Sequence, residues 1–184
     1  MQITSGLNRG ERLLSPDGLK IRPTSNKVRS AIFNIIRFEI KGSSFLDLFA
    51  GTGAIGIQAL SEGCALSCFV EMHYKCVNAI KTNLLKLKLN DKSIIYKKKV
   101  ESFIVEDKDE LNRFDFIFMD PPYIYNYQQY FEIFSKLISN CKNNAKFIIE
   151  HSSNLDLSYF AENFSLYSFR TKEYGDSNLS ILQR

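Results

Sequence analysis

No stretch of this sequence approaches the roughly 18–20 consecutive apolar residues that a membrane helix needs. The N-terminus also lacks the basic-then-apolar pattern of an exported protein, so a cytoplasmic location with no membrane partner is expected. Cysteine is scarce: the 184 residues hold four, Cys64, Cys68, Cys76 and Cys141, and no disulfide framework is implied. Cys64, Cys68, His73 and Cys76 crowd together, but not with the short paired spacing of a zinc ribbon. Cys64 and Cys68 share strand parity, whereas His73 and Cys76 lie beyond the strand end and would point elsewhere. No metal is expected, and reduced thiols filling a core is the reading. Linkers, repeats and low-complexity segments are missing too, so residues 1–184 are expected to form one domain large enough to bury a core.

What is present is ordinary in amount and uneven in place. Hydrophobic residues make up 45% and charged residues 24%, as in a soluble globular protein. Of the net charge of +4, more than all falls in residues 1–41, which carry eight basic residues against three acidic ones. Arg9, Arg12, Lys20, Arg22, Lys27, Arg29, Arg37 and Lys41 face only Glu11, Asp17 and Glu39, leaving the rest near neutral. Such a segment is the electrostatic footprint of a phosphate-backbone partner. From charge alone it is equally a solvated basic face.

Residues 1–21, broken by Gly10 and by Ser15-Pro16-Asp17-Gly18, read as a small hairpin or extended arm, which is bounded at residue 23. Thr24 or Ser25 caps a helix whose stripe is Val28, Ala31, Ile32, Ile35 and Ile36. The near-continuous apolar run 44–49 suits a parallel strand buried on both faces. A helix over 54–62, a strand 65–71, a helix 74–88 and strands 93–96 and 114–119 follow. Then come a helix 128–141, a strand 147–149, a helix over 155–162, and strands near 164–170 and 178–182 joined by a turn at Tyr174-Gly175-Asp176-Ser177. Alternation of this kind defines a doubly wound α/β sheet, whose ligands bind at the carboxyl ends of strands.

Gly51-Thr52-Gly53-Ala54-Ile55-Gly56 fits the G-x-G-x-x-G pattern of dinucleotide loops, with Glu71 at the end of the next strand. Asp47, four residues ahead of the first glycine, argues for another cofactor. A carboxylate there repels a pyrophosphate but attracts the α-ammonium of S-adenosylmethionine, which has no phosphates. The glycines let the backbone approach the methionine and ribose closely, and Glu71 can accept hydrogen bonds from the ribose hydroxyls. Cofactor contacts are therefore expected from Asp47, Phe49, Gly51, Thr52, Gly53 and Glu71. Read blandly, Asp47 caps a turn and the loop is a generic strand-to-helix connection.

Asp120-Pro121-Pro122-Tyr123 follows the strand 114–119. Two prolines stiffen the backbone and remove two amide donors. The Asp120 carboxylate and the Pro121 carbonyl could then accept both hydrogens of an exocyclic amine and hold its lone-pair face toward a methyl donor. Positive charge grows on that nitrogen during transfer, so the acceptors gain value in the transition state. Tyr123 would stack on a base that has left its own stack. The plain alternative is a Pro-Pro turn.

Arg22-Pro23-Thr24, Lys27-Val28-Arg29, Phe33-Asn34, Asp47-Leu48-Phe49-Ala50-Gly51-Thr52-Gly53, Asp120-Pro121-Pro122-Tyr123 and Tyr174-Gly175-Asp176 occur in that order over nearly the whole chain. In this the sequence resembles the RsmD family, bacterial 16S ribosomal RNA guanine-N2 methyltransferases. The resemblance implies a class I methyltransferase fold, Rossmann-like, with a seven-stranded, mostly parallel sheet and helices on both faces. It implies S-adenosylmethionine without a metal, and a guanine of 16S rRNA within the small ribosomal subunit as substrate. The arm and the basic helix would grip phosphates, with Arg9, Arg22, Lys27 and Arg29 as candidate RNA contacts; Arg22 and Arg29 are equally candidates for the active site, and Arg22 for tying the arm to the domain. One departure stands out: Lys99 lies where the family offers an Asp or Asn to the cofactor adenine, which leaves the Val100 backbone, with Phe103 nearby, to hold that ring.

The tetrapeptide serves adenine N6 as well as guanine N2, so an adenine-N6 methyltransferase acting on DNA or RNA is the nearest rival. An NAD-dependent oxidoreductase and a non-catalytic ribosome-assembly factor are further ones. Nothing in the sequence demands more than a monomer.

Overall fold

The computed structural model describes residues 1–16, 24–122, 124–166 and 168–183. They form two compact units, Met1–Val100 and Glu101–Arg184. No helix among the described residues is long and apolar enough to cross a membrane.

The first unit opens with the arm, whose described part is a hairpin. Ile3 donates to Glu11 O (2.9 Å) and Leu13 to Met1 O (2.9 Å), around an antiparallel Gln2–Arg12 bridge. Ile3 and Leu13 bury their side chains in a cluster with Ala54, Ile57, Leu60, Ile80 and Leu84. Helix α1 (Asn26–Ile36) is capped by the Ser25 hydroxyl, which accepts from Val28 N at 3.2 Å. Strands β1 (Ser44–Leu48), β2 (Leu66–Val70) and β3 (Ser93–Tyr96) are parallel, in the order β3-β2-β1, with α2 (Ala54–Ser61) and α3 (Tyr74–Lys86) as crossovers. Every residue of α2 is buried, which is why its sequence shows no amphipathic stripe.

Two buried amides tie the arm down. Gln58 on α2 accepts from Thr4 N at 2.9 Å and donates to Ser5 O at 3.0 Å. Asn83 on α3 accepts from Leu14 N at 2.7 Å and donates to Leu14 O at 3.0 Å. Both side chains are fully buried, so each bond is made where water cannot replace it.

In the second unit β4 (Phe116–Met119) and β5 (Lys146–Ser152) are parallel, and β7 (Ser177–Gln183) and β6 (Ser168–Tyr174) follow antiparallel in the order β4-β5-β7-β6. The seven strands make a mixed sheet. Helix α5 (Tyr127–Asn140) lays Tyr130, Ile133, Phe134, Leu137 and Ile138 inward, and Phe134 meets Phe147, Phe160 and Phe164 at ring separations of 5.0 Å.

Several elements differ from the expectations, and β5 runs on to Ser152. Helix α4 (Val100–Glu106) was not foreseen: it is too short to display a repeat. Strand β4 begins two residues late because Phe114 N closes a 3-10 turn onto Leu111 O. Helix α6 (Tyr159–Asn163) starts four residues late, since Asp156 accepts from Ser158 N at 2.8 Å and diverts the chain into a side-chain-closed turn. Strand β6 begins only at Ser168, after Ser165 takes a left-handed φ of 48°.

Candidate active site

The glycine loop lies between β1 and α2. Three of its residues have positive φ: Phe49 at 59°, Gly51 at 54° and Gly53 at 76°. For a phenylalanine this is strained backbone, of the kind that persists where the surrounding structure holds a ligand cradle in place. Gly56 has a different task. A methyl group added there would fall on the Phe69 ring and the Ser67 hydroxyl, so glycine is what lets α2 pack against β2.

Two carboxylates wire this loop. Asp47, 1% exposed, accepts from Gly56 N at 2.8 Å through Oδ2. Glu71, half-buried at the end of β2, accepts from Gly51 N (2.8 Å) and from His73 N (2.6 Å). A carboxylate offers about four lone-pair sites, so Glu71 retains capacity for ribose hydroxyls. Gly56 N belongs to the first turn of α2, where a dinucleotide loop would aim its amides at phosphate. Here that amide already serves a buried anion, and no cation accompanies it in residues 47–56. The donor set fits a cationic, phosphate-free cofactor such as S-adenosylmethionine and not a pyrophosphate. Thr52 and Gly53 are buried in the loop, and Val100 is buried as the first residue of α4. A first-turn amide has no partner inside its own helix, which leaves the Val100 N–H suited to an adenine ring nitrogen.

Asp120 and Pro121 follow β4 directly; Asp120 is half-buried, Pro121 buried and Pro122 exposed. The Pro122 carbonyl accepts from Tyr125 N at 2.8 Å and closes a turn. Beyond it, Asn126 and Gln129 form a reciprocal capping box at the start of α5. Tyr125 donates its hydroxyl to Glu101 at 2.6 Å, and burial with that carboxylate pushes the phenol up to about 12. Neither Tyr125 nor Glu101 was singled out from sequence. The Asn-x-x-Gln spacing was the available signal for this anchored turn. Tyr123 lies outside the described residues.

Of the basic candidates, Arg9 and Lys27 are exposed, and Arg22 lies outside the described residues. Arg29 corrects the expectation of a direct phosphate contact, because it is fully buried. Its Nη2 donates to Gln2 O at 2.7 Å and Asn26 Oδ1 at 2.5 Å, tying the arm to α1. Burial lowers its pKa from the usual arginine value, and among the described residues its Nε and Nη1 find no partner. All four cysteines are free and buried, with Cys64 donating to Ser43 O at 3.0 Å.

This fold is that of class I S-adenosylmethionine-dependent methyltransferases. The RNA methyltransferase of Salinibacter ruber in complex with S-adenosyl-L-homocysteine shares the fold, with a TM-score of 0.67 at 12% identity over 88% of this chain and 93% of that one. The hypothetical protein TTHA0928 of Thermus thermophilus matches with a TM-score of 0.84 at 27% identity, over 100% of this chain and 99% of that chain. The ribosomal RNA small subunit methyltransferase D of Haemophilus influenzae is 31% identical over 93% of this chain and 88% of its own length. The chain belongs to the conserved hypothetical protein 95 family, the RsmD family, whose model matches residues 1–183.

Proposed function

We propose that this methyltransferase uses S-adenosylmethionine to methylate the exocyclic N2 amine of a guanine in 16S rRNA of the small ribosomal subunit. The acceptor pair at the end of β4 carries the amine-methylation part of this reading, and the choice of guanine N2 rests on the family resemblance. The turn bond from Tyr125 N engages the Pro122 carbonyl; the Asp120 carboxylate and the Pro121 carbonyl are the groups proposed to take the two amine hydrogens. Held by both, the nitrogen keeps its lone-pair face toward the electrophile, and the Asp120 charge offsets the positive charge that develops there. The proton leaves afterwards to Asp120 or to water. S-adenosylmethionine supplies an already activated methyl group, so these residues need only orient the amine and stabilise its charge.

Asp47, Phe49, Gly51, Thr52, Gly53 and Glu71 hold the methionine and ribose portions, and the Val100 backbone the adenine. Tyr123 stacks on the extruded base. Arg9, Arg22 and Lys27 contact phosphates, and Arg29 serves them by fixing the arm to α1. The family model runs through both compact units, which supports their working as one domain. Ribosomal RNA as substrate is supported by the names of the 31–33% identical relatives.

Incubation with labelled S-adenosylmethionine and small subunits lacking this family's modification tests the reading, with nucleoside mass spectrometry as the readout. N2-methylguanosine in 16S rRNA is expected. N6-methyladenosine, or no incorporation, would overturn it.

A further inference from the structure

A single exposed apolar side chain on a soluble protein ordinarily calls for no explanation. Ile124 differs in where it stands and how it is held. It is 86% exposed and lies two residues past Pro122, inside the turn closed by the bond from Tyr125 N to Pro122 O at 2.8 Å. The next two residues pin that turn from below. Tyr125 donates to Glu101 at 2.6 Å, and Asn126 and Gln129 exchange bonds of 2.9 and 3.1 Å at the start of α5. Ile124 therefore presents a bulky branched hydrocarbon to solvent directly before the anchored residues Tyr125 and Asn126. Val105, 56% exposed, lies one helical turn along α4 from Glu101, so apolar surface also flanks the anchor.

The reaction proposed above requires the target base to leave its stack, and an extruded base leaves a gap between its neighbours. Proteins that unstack nucleic acid commonly fill such gaps with an apolar wedge, isoleucine among them. A wedge works only beside the gap it fills, and Ile124 stands four residues past Asp120 and one before the Tyr125 anchor. We propose that Ile124 is the wedge that enters the RNA stack as the guanine leaves it, and that Tyr125, through its bond to Glu101, is the positioning residue that holds it there. This inference rests on the guanine-N2 reading. The Tyr125 phenol, held up to about 12, remains a donor throughout the working pH range.

The test uses the full-length protein, saturating labelled S-adenosylmethionine and small subunits lacking the modification. Because Ile124 is exposed, Ile124→Ser leaves the fold intact. Its kcat is expected to fall roughly tenfold, the size of one lost side-chain burial. KM for the subunits and Kd for S-adenosylmethionine stay within about twofold, the pattern of an interaction made on the way to the transition state. Ile124→Leu, which keeps the volume, restores most of the rate. Tyr125→Phe, which keeps Ile124 but loses one hydrogen bond, costs about threefold to tenfold in kcat. An Ile124→Ser enzyme with wild-type kcat would overturn the inference alone. So would a loss carried wholly by KM, which would make Ile124 a docking contact. A wild-type protein inactive on the subunits would overturn the functional reading and this inference with it.

Discussion

The glycine loop after β1 and the proline turn after β4 each occupy the carboxyl end of a parallel strand, yet they are held by opposite means. The first is fixed close to the backbone: three left-handed residues, a glycine pressed on Phe69, and one buried and one half-buried carboxylate gripping amide hydrogens. The second is fixed by side chains, a tyrosine on a glutamate and an Asn–Gln box, and carries exposed residues at its tip. The difference suits a division of labour. On the proposed function, a cofactor of constant shape would meet the rigid cradle, while a large RNA would meet a turn that projects its groups outward. It follows that added Cβ atoms should break the first region and truncated side chains the second.

The largest effect is expected from Asp120→Ala. Losing one preorganised group that stabilises developing charge costs on the order of 10²–10³ in kcat, and Kd for S-adenosylmethionine, measured calorimetrically, should not change. Parallel losses of both would dissolve the division between the regions. Gly56→Ala probes the other side. The added methyl meets the Phe69 ring, overpacking costs about 1–3 kcal/mol in urea denaturation, and cofactor affinity should weaken with it. Gly6→Ala should act on the arm alone. Gly6 has a φ of 81° and a methyl there meets the Ser61 backbone, so the arm should loosen at a cost above about 1 kcal/mol and become cleavable by protease, with cofactor binding retained.

The smallest effect is a control that touches neither loop. His151 on β5 is buried, with Nε2 at 2.8 Å from the Ser180 hydroxyl, and burial lowers its pKa from the ordinary 6.5. The unfolded chain therefore binds the proton first as the pH falls. This contribution to stability is fully present above pH 6.5 and is lost on acidification through the folded value below it. His151→Gln should flatten that part of the stability–pH curve. An unchanged slope would place the titration elsewhere.

Much of this was legible in the residues, for identifiable reasons. Buried parallel strands announce themselves as short apolar runs, and β2 and β3 fall within a residue of where periodicity puts them. The glycine loop and the proline turn were visible because both depend on residue types with unusual backbones. That Arg29 is buried could not be read from sequence, since nothing local reveals that a hairpin from the other end of the segment will cover it. The Tyr125–Glu101 anchor was hidden likewise: its partners are 24 residues apart, and neither carries a motif. Gln58 and Asn83 look like surface amides on their helices until the arm lies over them.

The central claim is that a loop whose first-turn amide is already taken by Asp47 accepts a cationic, phosphate-free cofactor, and titration calorimetry tests it most directly. The wild-type protein should bind S-adenosylmethionine and show no heat with NAD. Tight binding of NAD without binding of S-adenosylmethionine would contradict the account.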